Sequence, residues 1–172
     1  MVKKVVNKAI GIFKTKSRTL SNFGKKNKTD KINEHHSFAG KNYLDIYSLY
    51  LQPLRNDKLT MLEIGIRDGA SLRTFRDYFK HGQIIGLDID PQTYFKEERI
   101  KTYIGSQSSA KAIDEIFLNH PEIKIVLDDG SHINQLTLES FNLMVKINGA
   151  EISIFSLLYF KLLKCFGNDD NS

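Results

Sequence analysis

Short apolar runs and stretches of helical spacing take turns along the middle of this chain. Leu59, Met61, Leu62, Ile64 and Ile66, interrupted by Glu63 and Gly65, read as a buried parallel strand. Gly65 and Gly69 permit a sharp turn, and Ser71 is the expected cap of a helix over residues 72–81, with Leu72, Phe75 and Phe79 on its apolar side and Gly82 as its stop. A second strand is expected over 84–89, ended by Pro91, and a third over 101–105. A helix over 109–119 turns Ala112, Ile113, Ile116 and Phe117 inward, a fourth strand covers 123–127, and a further helix covers 136–145. Ahead of these, residues 42–51 space Leu44, Tyr47 and Leu51 for a helix that Pro53 ends. The order is β-α-β and then β-α-β-α, which predicts an α/β fold with parallel strands joined by crossover helices.

The two ends read differently. Val2, Val5, Val6, Ala9, Ile10 and Phe13 recur at helical spacing among lysines, so residues 1–16 predict a basic amphipathic helix. Such a helix could pack on its own domain, on another subunit or on an anionic membrane surface. Residues 17–31, rich in Ser, Thr, Asn and Lys, read as a linker, so the division is 1–31 as basic helix and linker and 32–172 as the folded domain. The most apolar stretch at the other end, residues 152–160, is too short to span a bilayer, which takes about 20 residues.

Charge narrows the possible partners. Of the formal +5, residues 1–31 carry +9 and the remainder −4, so the basicity belongs to the N-terminal arm and does not argue for nucleic-acid binding. At 172 residues and 41% hydrophobic the chain can bury a core as one domain. A single cysteine, Cys165, excludes an internal disulfide framework and suits a reducing compartment, with the cytoplasm as the expected location.

Acidic groups stand where the expected strands end. Asp88 follows the second strand, 25 residues after Glu63, placed to accept both hydroxyls of a cofactor ribose. Asp128 and Asp129 follow the fourth; such an oxygen-rich pair suits Mg²⁺. His132, three residues beyond Asp129, is a candidate general base. Asp30, Lys31, His35, His36 and Ser37 form a further polar cluster, but adjacent histidines point apart and no third ligand lies at metal spacing.

Taken together, D-K…H-H-S at 30–37, L-E-I-G-I-R-D-G-A-S-L at 62–72, G-L-D-I-D at 86–90, G-S-Q-S at 105–108 and L-D-D-G-S-H at 127–132 followed by S-F at 140–141 resemble the class I S-adenosylmethionine-dependent methyltransferases. More narrowly they look like the macrolide-sugar O-methyltransferases, over roughly residues 30–141. The resemblance implies a Rossmann-like parallel sheet and an O-methyltransferase that uses S-adenosylmethionine, with Mg²⁺ assistance, on a hydroxyl of a sugar or glycosylated metabolite. It implies that Glu63 and Gly65 shape the methionine pocket, Asp88 holds the ribose, Gln107 lies toward the adenine, and Asp68, Ser71 and Asp128 complete the cofactor site. Asp129 would ligate the metal and His132 would take the proton from the acceptor hydroxyl.

Two departures qualify this. Arg67 stands where a G-x-G turn has its second glycine, and with Asp68 it opposes a pyrophosphate, which disfavours a nicotinamide enzyme more than a phosphate-free cofactor. The family's second acidic pair, also metal ligands, should fall at 157–158, where this chain has Leu157 and Leu158. Residues 145–172 are therefore expected to be aberrant and the fold C-terminally incomplete. The alternative function is a non-catalytic S-adenosylmethionine-binding remnant or interaction module.

Overall fold

The computed structural model describes residues 19–33, 37–38, 41–131, 133–148 and 153–156. Its centre is a six-stranded sheet of β1 (Thr60–Ile64), β2 (Gln83–Asp88), β3 (Lys96–Glu97), β4 (Ile100–Ile104), β5 (Ile123–Asp128) and β6 (Ser153–Ser156), in the order β3-β4-β2-β1-β5-β6. All neighbours are parallel except the two-residue edge strand β3, which turns back antiparallel on β4. Apart from the edge strand β3, sequence order runs outward from β1 in both directions, so the sheet is doubly wound and its direction of growth reverses between β1 and β5.

Among the described residues five α-helices accompany it: α1 (Leu20–Asn27), α2 (Tyr43–Leu51), α3 (Ala70–Tyr78), α4 (Ala110–Asn119) and α5 (Asn134–Asn148). Side chains alternate across each strand, so the sheet feeds two cores. Met61, Ile84, Ile125 and Leu127 pack with Leu20, Leu44, Tyr47, Leu72 and Phe75 on one face. Leu62, Ile64, Ile85, Leu87 and Val126 pack with Ile113, Ile116, Phe117 and Met144 on the other. Helices on both faces explain why β1 is buried along its whole length and reads as a continuous apolar run.

The expected strands and helices are present with shifted ends. The helix after β1 starts at Ala70 behind Gly69, and Ser71 lies inside its first turn, so Ser71 is not the cap. That helix stops at Tyr78, before Gly82. Ser109 caps α4 by accepting from Ala112 N–H, and Asn42 caps α2 by accepting from Asp45 N–H.

The expected linker over 17–31 is a correction. Thr19 caps α1 through Asn22 N–H, and Lys28 ends it in the left-handed conformation, with its own N–H and that of Thr29 returning to the last turn. Gly24 lets this helix meet α2, because a Cβ there would lie 2.2 Å from Leu44 Cδ1. A short 3-10 turn, Asp30–Ile32, follows and buries Lys31. Residues 19–33 therefore belong to the domain; the polar composition that imitated a linker supplies caps and one buried ammonium. Residues 1–16, His35, His36, His132 and residues 157–172 lie outside the described residues. No described helix is long and apolar enough to cross a membrane.

Candidate functional site

The cleft opens at the carboxyl ends of the strands, where β1 stands between β2 and β5, the position at which open α/β sheets bind ligands. It measures about 530 Å³, within the range of small-molecule sites. The turn after β1 forms its floor. Gly65 adopts φ +90°, and a Cβ on it would lie 2.3 Å from the carbonyl oxygen of Asp129, so only glycine lets the two strand ends approach. Asp129 N–H in turn donates to Ile64 carbonyl oxygen at 2.9 Å.

Asp88 shapes the next wall. Its Oδ2 accepts from Ile66 N–H at 2.7 Å and Arg67 N–H at 3.3 Å, and its Oδ1 accepts from Asp90 N–H at 3.0 Å. The carboxylate thus fixes the turn and still borders the cleft with Ile89 and Asp90. Arg67 has φ +53° and is exposed, and its guanidinium pairs across the rim with Asp30. A bulky residue in that conformation crowds the place a phosphate would need. Asp68 accepts from Ala70 N–H at 3.0 Å and so anchors the start of α3.

Glu63 and Lys31 fill the floor behind the turn. Glu63 is 0% exposed and Lys31 4%. Lys31 Nζ lies 3.0 Å from Glu63 Oε1 and also pairs with Asp129 Oδ2, while Glu63 Oε2 accepts from Ser71 Oγ at 2.7 Å. Burial pushes the Glu63 carboxyl up from the usual range, and the Lys31 ammonium works against that push. Burial alone would lower Lys31, but Glu63 and Asp129 outweigh it and hold the ammonium well above the ordinary lysine range.

Asp128 and Gln107 brace the far side. Asp128, 4% exposed, accepts from Gly130 N–H, from Gln107 Nε2 at 3.3 Å and from Ser140 Oγ at 3.1 Å. Gln107 Oε1 accepts from Ser131 N–H at 3.0 Å, so this one side chain ties the end of β4 to the loop after β5.

The fold brings Gly65, Asp68, Ser71, Asp88, Gln107 and Asp129 to one cleft, with Glu63 and Asp128 beneath it. Asp129, expected as a metal ligand, is paired with Lys31 in this structure. Its carboxylate engages the Lys31 ammonium, and no group of three or more metal-ligating side chains occurs among the described residues. The described residues therefore do not make a fitting Mg²⁺ site. Sequence reasoning placed Lys31 in a polar cluster without assigning it a task; the D-K pair of the D-K…H-H-S run was the available signal. Tyr43, on α2, also lines the cleft and was not singled out.

No protein-family model matches the chain. It is similar to demethylmacrocin O-methyltransferase of Streptomyces fradiae, 36% identical over 103 residues, which cover 56% of this chain and 26% of that protein. Mycinamicin VI 2''-O-methyltransferase of Micromonospora griseorubida is 38% identical over 102 residues, 55% of this chain and 26% of its own length. L-olivosyl-oleandolide 3-O-methyltransferase of Streptomyces antibioticus is 31% identical over 128 residues, 67% of this chain and 31% of its own. Among solved structures, the MycE methyltransferase of the mycinamycin biosynthetic pathway, in complex with Mg and SAH, superimposes with a TM-score of 0.66 at 32% identity. That match covers 74% of this chain and 33% of MycE. The chain thus spans between about a quarter and a third of the length of the relatives it matches. Over that part, the chain is built on the class I methyltransferase fold and resembles the macrolide-sugar O-methyltransferases.

Proposed function

We propose that this chain binds S-adenosylmethionine in the cleft and serves an O-methyltransferase reaction on a hydroxyl of a sugar or glycosylated metabolite. The observation that carries the reading is the Asp88 carboxylate at the end of β2, facing a cleft whose turn is lined by Arg67 and Asp68 rather than bare glycine backbone. A ribose suits the first feature and a cofactor without phosphate suits the second. Bound S-adenosylmethionine would supply an electrophilic methyl on a sulfonium.

The chain's own residues would do the rest. Asp88 would accept from the ribose hydroxyls while keeping its bonds to Ile66 and Arg67. Gly65 leaves room for the methionine part against the end of β5. Asp68 and Ser71 would hold the start of α3 against the ligand, and Asp128 and Gln107 would brace the wall on the adenine side. His132, next to Ser131 in the sequence, would accept the proton of the attacking hydroxyl; a positioned imidazole contributes typically 10²–10⁴-fold. No step is assigned to Mg²⁺. The test is transfer of labelled methyl from S-adenosylmethionine to a panel of glycosides. Labelled product that His132→Ala reduces at least about a hundredfold supports the reading, and an unlabelled panel contradicts its catalytic half.

A second reading, a binding module without turnover, is favoured by Leu157 and Leu158 at the positions of the expected acidic pair. It predicts cofactor binding with no methyl transfer in the same assay.

A further inference from the structure

Two carboxylates and one ammonium meet beneath the cleft. Glu63 comes from β1, Asp129 from the loop after β5, and Lys31 from the 3-10 turn that precedes the sheet in the chain. An ammonium this deeply buried costs several kcal/mol of desolvation unless opposite charges surround it, and here two do. We propose that Lys31 is the resident cation of this site: it takes the charge position on Asp129, so the cleft holds its cofactor without a divalent ion, and removing the lysine's charge turns Glu63 and Asp129 into a divalent-cation site. The inference rests on the proposed cofactor, and its test separates the two.

Charge counting supports it. With Lys31 in place the three groups sum to −1, a suitable floor for a cofactor that carries a sulfonium. A divalent ion added to the same three groups would bring the sum to +1 beside that cationic methyl donor. Without Lys31 the sum is −2, and two hard oxygen donors face one another across the space the ammonium leaves, which suits Mg²⁺ or Mn²⁺. The surplus negative charge is felt nearby. Tyr43 and Tyr47 are both pushed above the ordinary tyrosine range, first by burial and next by Asp129. Ser71 Oγ fixes the second oxygen of Glu63, so that carboxylate stays aimed at Lys31. Lys31 is a positioning residue on this account, since it acts through Glu63 and Asp129.

The experiment uses the full chain with Mn²⁺ and S-adenosylhomocysteine as probes. Mn²⁺ binding is followed by electron paramagnetic resonance in the wild type, Asp129→Asn, Lys31→Met, Lys31→Arg, and the Lys31→Met and Lys31→Arg variants each combined with Asp129→Asn. S-adenosylhomocysteine binding is followed by calorimetry in EDTA and in excess Mg²⁺. We expect no Mn²⁺ site in the wild type or Lys31→Arg that Asp129→Asn removes. We expect such a site in Lys31→Met, lost when Asp129→Asn is added. Cofactor affinity of the wild type should agree within about twofold between EDTA and Mg²⁺, whereas Mg²⁺ should tighten it about fivefold or more in Lys31→Met. A wild-type Mn²⁺ site that Asp129→Asn abolishes, or cofactor binding that EDTA abolishes, overturns the proposal. So does a folded Lys31→Met that binds no Mn²⁺. If Lys31→Met does not fold, the wild-type and Lys31→Arg titrations decide it alone. If S-adenosylhomocysteine fails to bind throughout, the cofactor reading falls and the Mn²⁺ arm still tests Lys31.

Discussion

Gly65 and Asp129 approach so closely that a Cβ on the glycine would lie 2.3 Å from the aspartate's carbonyl oxygen. The contact joins the ends of β1 and β5 at the point where the sheet reverses, and the cleft exists because both chains can turn there. Gly65→Ala adds a clash with backbone and also strains a φ of +90°. We expect a loss of about 1–3 kcal/mol from backbone strain alone, read as a lower midpoint in urea, together with weakened cofactor binding. Wild-type stability in Gly65→Ala would contradict the geometry.

Ser140 donates to Asp128 from within α5 and is fully buried. Ser140→Ala leaves that carboxylate one donor short, at a cost of about 1–3 kcal/mol. Denaturation should show this loss, and Ser140→Thr should recover part of it only if the extra methyl fits.

The segment 19–33 is part of the domain. Removing residues 1–18 should leave the cooperative unfolding transition in place. Removing residues 1–33 should abolish it, because Leu20 loses about 1.5–3 kcal/mol of burial and the Glu63 and Asp129 carboxylates lose their ammonium, worth about 3–5 kcal/mol when a buried pair is broken. Circular dichroism melts of the two truncations check this. A cooperative melt of the shorter chain would return residues 19–33 to the status of a linker.

His120 supplies a pH dependence. Burial lowers it below the ordinary histidine range, with Glu122 opposing and Lys101 adding to the shift, and its Nε2 lies 3.0 Å from Tyr103 Oη. The unfolded chain therefore binds this proton more readily than the folded one. The contribution is complete above the unfolded pKa of about 6.5 and is lost as pH falls through the lower folded value. Stability should rise with pH across that window, the His120 resonances should titrate below about 6.5, and His120→Gln should flatten this part of the profile.

Much of this architecture was legible because burial on both faces writes long apolar runs into β1, β2 and β5, and because acids marked their ends. Asp88, Asp128 and Asp129 announced the cleft for that reason. Helix ends were harder to read: Ser71 has a capping side chain, yet Glu63 beneath it claims the hydroxyl, and the backbone at Gly69 starts the helix without a side-chain cap. Lys31 was hidden by composition. A lysine in a polar stretch reads as solvated, and its two partners lie 32 and 98 residues further along the chain, so no local pattern records them. The pairing of Asp129 with Lys31 was hidden for the same reason, since the neighbour that engages its carboxylate is invisible from the L-D-D-G-S-H run.

The most direct test of the account is calorimetric titration of S-adenosylmethionine into the purified chain and into Asp88→Ala, with folding of both checked by circular dichroism. The account predicts saturable binding by the wild type and at least about tenfold weaker binding by the variant, equivalent to about 1.4 kcal/mol. A folded wild-type chain that shows no saturable binding, or binding that Asp88→Ala leaves unchanged, would contradict it.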